Sequence, residues 1–181
     1  MTTLAPASAT TRNIVVRPLA PSDEDDLFAW LEPGEAAVWL ESTAGDPGRQ
    51  GWVVEFDGAP SGLAGLHDID RGHQRCAWTC HVTSPAPGLD AYIHAWGAAY
   101  VFEGLRLAKL WCEAAADDAA AIARLESNGF AIEARLRGHS EHDGHRRDVV
   151  RLGLLAADWR AARAVLGAKL TALGFEPPEI G

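Results

Sequence analysis

Between Pro87 and Phe130 the chain reads PGLDAYIHAWGAAYVFEGLRLAKLWCEAAADDAAAIARLESNGF, and no other run restricts the fold as much. Gly88 opens an amphipathic helix, Leu89 to about Gly104, whose apolar stripe is Leu89, Ile93, Trp96, Tyr100 and Val101. A short apolar strand follows from Ala108 to Ala114. Asp117 or Asp118 caps the next helix, which buries Ile122 and Leu125 and stops at Gly129 as a left-handed cap. A loop that feeds a helix start leaves backbone N–H groups without partners, beside the positive end of the helix dipole. Such a turn suits a phosphate.

The flanks supply the rest of a sheet. Ile14–Leu19 reads as a first strand. Pro21 ends it, and Ser22 with Asp25 forms a weak capping box before a helix carrying Leu27, Trp30 and Leu31. That helix stops near Pro33-Gly34, and 35–40 continues as a second short helix. The run 42–50 is a loop, rich in Gly, Pro and Asp. Asp57-Gly58 between Gly51–Phe56 and Ala59–His67 signals a tight hairpin. In a further strand, Arg75–Val82, one face holds Cys76, Trp78, Cys80 and Val82, and the other Arg75, Ala77, Thr79 and His81. Phe130–Leu136 and Asp148–Leu155 pair around the polar turn His142-Asp143-Gly144-His145. A C-terminal helix over about 157–174 turns Trp159, Ala162, Val165, Leu166, Leu170 and Leu173 inward. The organisation is a tail over 1–12, one α+β domain over 13–175 with a mixed, mostly antiparallel sheet, and a tail over 176–181.

Composition narrows the function classes. The chain has 181 residues and a net charge of -9 with no basic cluster, which excludes ordinary nucleic-acid binding. No apolar run approaches the ~20 residues of a membrane span, and the opening MTTLAPASATTR lacks a signal-peptide pattern. Three cysteines, an odd and sparse set, fit a reducing compartment, and the expected location is the cytoplasm. On a strand Cys76 and Cys80 stand ~13 Å apart, too far to share an ion or a disulfide. They read as buried small side chains. His139, His142 and His145 cluster with Asp143 and Asp148 at turn spacing, so no metal site is expected there.

Several fragments resemble the GNAT (GCN5-related) N-acetyltransferase superfamily, in particular the branch of ribosomal-protein alanine and amino-sugar acetyltransferases. These are VVRPLAPSD, the pair Ala77-Trp78, YVFEGLRLAKLWCEA, ARLESNGF and GHSEHDGHRRDVVRLGLLAADW, which together cover most of residues 14–160. The resemblance implies a GNAT-like fold and transfer of an acetyl or other acyl group from acyl-CoA to a small-molecule, amino-sugar or peptide amine. It places the coenzyme pyrophosphate at Val82, Gly88, Leu89, Asp90 and Ala91, and the pantetheine side at Asp118. His81 stands beside the thioester as base or water-positioner. Trp30, Trp39, His67 and Asp68 line the acceptor site.

The chain also departs from that family. Its phosphate loop is Pro85-Ala86-Pro87-Gly88-Leu89-Asp90, in which only Gly88 keeps the family's place. The prolines remove N–H donors, and Asp90 sets a carboxylate in the first helical turn. Leu125 stands where many relatives carry a tyrosine taken to protonate the leaving thiolate. Arg75 stands where many carry a glutamate. These departures motivate the alternative of a catalytically lapsed GNAT-fold binding or regulatory module. The extra C-terminal helix is expected to cover a sheet edge or a second copy of the chain, giving a homodimer.

Overall fold

Asp57 and Gly58 both take positive φ, 51° and 82°, which closes a tight hairpin between β2 (Gln50–Phe56) and β3 (Ala59–Asp70). The computed structural model describes residues 12–42, 45–142 and 144–179. In it β1 (Ile14–Pro18) pairs antiparallel with β2, and β4 (Arg75–Val82) pairs antiparallel with β3. Helix α3 (Leu89–Ala99) then carries the chain across to β5 (Lys109–Ala115), which lies parallel to β4. A parallel neighbour demands such a crossover. The remaining strands, β6 (Ala131–His142) and β7 (His145–Leu155), complete a seven-stranded sheet in the order β1-β2-β3-β4-β5-β7-β6. The α+β, mostly antiparallel architecture expected from the sequence is the one observed.

Two cores form, one on each face of the sheet. On one face, Trp52, Leu66, Cys76, Trp78, Leu110 and Leu152 pack with Leu89, Ile93 and Val101 of the α3 segment and with Trp159, Leu166 and Leu170 of α5 (Ala156–Ala172). On the other face, Val53 and Leu63 meet Leu27 of α1 (Glu24–Trp30) and Ala36 and Trp39 of α2 (Pro33–Ser42). Burying a Leu or Val side chain fully is worth roughly 1.5–3 kcal/mol, so each face is a substantial contributor. The α3 helix ends in a π turn, Tyr100–Gly104, in which Leu105 N–H donates to the Tyr100 carbonyl at 2.8 Å. Helix α4 (Ala119–Ser127) is capped by Asp118, whose carboxylate accepts the Ala121 N–H at 2.8 Å.

Some local expectations change. Asp23, not the Ser22–Asp25 pair, organises the first helical entry: its buried carboxylate accepts Ala20 N–H and both terminal nitrogens of Arg17 at 2.8–2.9 Å. Val165 is 65% exposed, because the inward stripe runs Trp159, Ala162, Leu166, Leu170 and Leu173 and leaves Val165 about 100° aside. The last hairpin extends to His142 and His145, its polar strands held by backbone pairing where no apolar period shows. Helix α5 covers α3 rather than a sheet edge, with Trp159 Nε1 donating to Glu103 Oε1 at 2.8 Å. Beyond it, Pro178 is buried. Residues 1–11 of the expected tail, the loop residues 43–44, Asp143 and the last two residues lie outside the described residues.

Candidate active site

Strands β4 and β5 touch only at their starts. Arg75, Cys76 and Ala77 pair with Lys109, Leu110 and Trp111, and then the strands part. From Trp78 to Val82, β4 is bonded on its far side to β3, and from Cys112 to Ala115, β5 is bonded on its far side to β7. The backbone groups facing one another across the gap therefore have no strand partner. Unpaired strand edges inside a protein call for a ligand or water. A cavity of about 640 Å³ fills this wedge, and one of about 460 Å³ adjoins it at the loop before α3. Cys80, His94 and Arg124 line both.

The loop end leaves some of its backbone N–H groups free and satisfies others internally. Leu89 N–H is taken by Ala86 O at 3.2 Å and Ala86 N–H by Ser84 Oγ at 3.4 Å. Among the described residues, the N–H groups of Gly88, Asp90 and Ala91 have no acceptor in the protein. Asp90 does set a carboxylate among them, but Arg124 of α4 lies 3.7 Å from it, so the pair brings no net charge to the mouth. Gly88 has φ 90°, and a Cβ there would sit 2.6 Å from Leu173 Cδ1 and 3.0 Å from Phe175 Cε2. Its glycine is thus required by backbone conformation and by the C-terminal segment packed behind it.

At the heart of the wedge, Trp78 Nε1 donates to His94 Nδ1 at 2.9 Å. Gly97 leaves room for the Trp78 indole, since a Cβ there would overlap the ring. Burial pushes His94 down to about 4, with Arg124 and Lys169 adding to the shift and Asp90 opposing it. Burial also pushes Cys76, Cys80 and Cys112 up to about 12, so these thiols keep their protons and are not nucleophiles.

The opposite side of the wedge is polar. His67 lies between the rings of Trp39 and Trp111, at 6.4 and 6.0 Å, and its Nδ1 is 3.2 Å from Asp68 Oδ2. Asp68 adopts φ 49° in the irregular stretch of β3 that ends its regular pairing with β4. Glu113 takes two bonds from Arg151, at 2.6 and 3.0 Å, and Arg151 in turn lies over the Trp111 ring at 4.3 Å. His139 Nε2 stands 3.8 Å from the same Glu113 oxygen.

No family model and no curated protein matches the chain. Solved structures do. A variant of the spermidine N-acetyltransferase SpeG from Vibrio cholerae superposes with a TM-score of 0.73, over 81% of this chain and 96% of its own, at 19% identity. The spermidine/spermine N-acetyltransferase SpeG from Vibrio cholerae in complex with manganese ions gives 0.73 over 86% and 98%, also at 19%. A structure provisionally described as an acetyltransferase gives 0.75 over 94% and 96%, at 21%. The chain has the GNAT fold.

Within that GNAT fold the sequence-derived site residues separate into three places. Val82, Gly88, Asp90 and His81 line the loop-side cavity, while Leu89 is buried beneath it and Ala91 in the α3 core. His67, Asp68 and Asp118 line the wedge cavity, Asp118 while also capping α4. Trp39 is buried in the core under α1 and α2, with Arg49 stacked over it at 5.0 Å, and Trp30 packs against the same core. Neither tryptophan lines the wedge. His81 does not line it either, since its residue sits at the loop end of β4 opposite Leu63. Sequence reading passed over His94, Arg124, Glu113 and Arg151. The i, i+34 relation of Asp90 to Arg124 carries no local signal, and His94 is masked by the helical stripe around it. Among the described residues, no group of three or more His, Cys, Asp or Glu side chains converges as a metal site, and no helix is long and apolar enough to cross a membrane.

Proposed function

We propose that the protein is an acyl-CoA-dependent N-acyltransferase, acting in the cytoplasm on a primary amine of a small molecule, an amino sugar or a peptide N-terminus. The observation that carries this reading is the wedge: an unpaired β4 edge joined at one end to free helix N–H groups and at the other to a polar cavity. Gly88, Asp90 and Ala91 N–H, with Arg124, would hold a pyrophosphate. The free edge of Trp78–Val82 would take the amides of an extended pantetheine as an added strand. Acyl-CoA, bound so, supplies an activated carbonyl at the split. The acceptor amine enters past His67, Asp68 and Glu113.

His67 is the base in this reading. Asp68 holds Nδ1–H, which leaves Nε2 as the acceptor for a proton of the amine. The nitrogen lone pair then forms the C–N bond while the C–S pair departs with sulfur. Both reactants are held by the same sheet, and that positioning supplies much of the rate. Spermidine is the acceptor named for the SpeG structures; here Arg71, Arg75, Lys109 and Arg151 line the adjoining cavity of about 530 Å³ together with Asp68 and Asp70. Arg75, Lys109 and Arg151 are each paired with a carboxylate. With both signs of charge on its lining, this cavity does not exclude a cationic amine.

Calorimetric titration with acetyl-CoA tests the donor site, and mass spectrometry of an amine panel tests the transfer. Saturable binding with an acylated amine product supports the reading. Absence of binding by any acyl-CoA up to millimolar concentration overturns it in favour of the lapsed module.

A further inference from the structure

Among the described residues, His94 is the one buried polar side chain that lines the wedge: it is 6% exposed and borders both cavities. An indole N–H can only donate, so the 2.9 Å bond from Trp78 Nε1 makes His94 Nδ1 an acceptor and places the ring's proton on Nε2. Phe130, edge-on at 5.8 Å, fixes the ring from the other side. Nε2 has no bond to any described residue, yet among the described residues Asn128 Nδ2 is the only fully enclosed side-chain nitrogen or oxygen left without a partner. Nε2–H of His94 therefore opens into the wedge. The cavity it borders is lined by Cys80, Cys112, Ala114, Ala121 and Leu125 as well as by Asp118 and Arg124, and no described residue accepts this proton.

We propose that His94 Nε2–H donates a hydrogen bond to the sulfur of the bound thioester and stabilises the leaving thiolate. The inference rests on the acyltransferase reading above. The amine nitrogen forms the new C–N bond, the C–S electron pair stays on sulfur, and the amine's proton passes to His67. His94 keeps its own proton throughout, and the thiolate is protonated afterwards from solvent in the wedge. A preset donor aimed where charge develops acts without reorganisation, and removal of one such donor costs about 10²–10³ in kcat. Burial, aided by Arg124 and Lys169 on the neighbouring helices and opposed by Asp90 on its own, keeps the ring neutral near neutral pH, so the donor does not switch with ordinary changes of pH.

The test compares CoA with desulfo-CoA on the full chain. The ¹⁵N signal of His94 Nε2 should move on binding CoA and hold still on binding desulfo-CoA. His94→Phe should erase the wild-type preference for CoA over desulfo-CoA and lower kcat about 10²-fold. An Nε2 signal that responds alike to both ligands overturns the inference, as does a folded His94→Phe protein with full kcat. If His94→Phe does not fold, the NMR comparison on the unsubstituted chain decides alone. Wild-type protein that acylates amines while its Nε2 ignores sulfur refutes this inference only; wild-type protein that binds no CoA ligand refutes the acyltransferase as well.

Discussion

His67 and His94 stand on opposite faces of one sheet, at the two walls of one wedge, and the same side chain is prepared for opposite tasks. His67 is partly exposed, with 27% of its side-chain surface open, and a carboxylate engages its Nδ1. That partner pulls the proton to Nδ1 and makes Nε2 an acceptor. His94 is buried, and an indole donor occupies its Nδ1, which pushes the proton to Nε2 and makes it a donor. The partner at one nitrogen decides the chemistry at the other. A sheet split between two parallel strands sets both at one cavity, and on the proposed reading both would act on one reacting centre.

The largest effect that would break this comparison is at His67. His67→Ala should lower kcat/KM by about 10²–10³. If His67→Ala keeps full kcat/KM and His81→Ala loses it, the base belongs at the loop end of β4 instead. Next comes the acid stability of His94. The unfolded chain takes up the proton that the buried ring refuses, so the stabilisation is complete above about pH 6.5 and is lost as pH falls towards about 4. Urea unfolding of wild type should weaken by roughly 1 kcal/mol per pH unit across that window, and a folded His94→Phe protein should lose this contribution.

Smaller effects sharpen the same contrast. Trp78→Phe removes the indole donor and leaves His94 Nδ1 unpaired, at a cost of about 1–3 kcal/mol by thermal or urea unfolding. Its ¹⁵N spectrum should show both neutral tautomers of His94, where wild type shows one. Asp68→Asn should matter least. The carboxylate is 67% exposed on its side chain, so its hold on His67 is worth about 0–1 kcal/mol, a loss of at most about fivefold in kcat/KM. A loss far beyond that would mean that Asp68 contacts the substrate itself.

The sequence made the scaffold legible and left the wedge obscure, for separate physical reasons. Alternation in Arg75–Val82 disclosed which side chains of β4 face the core, and Asp57-Gly58 disclosed the hairpin, because both signals are local. Gly129 ended α4 as read, at φ 97°. The donor-site features depend on contacts between distant segments. Arg124 answers Asp90 across two helices, and His94 is defined by Trp78 on a strand sixteen residues earlier. His94 sits within an otherwise apolar helix stripe, so only its partner reveals it. Val165 failed for a simpler reason: a valine beside Leu166 fits an apolar pattern, and only the packing angle of α5 turns it outward.

The proline-bearing loop before α3 has a further consequence. Pro85 and Pro87 restrict the backbone on both sides of Ala86, Gly88 is braced by Leu173 and Phe175, and Arg12 reaches in from the other end of the chain to the Pro87 carbonyl at 3.2 Å. Phe175 is itself covered by the Arg12 guanidinium at 4.8 Å. A loop so clamped has few conformations left to surrender when an anion arrives. What the prolines remove in hydrogen-bond donors they return as rigidity, and the shape of this mouth is stored in segments that precede β1 and follow α5, outside the sheet and far from the loop in sequence.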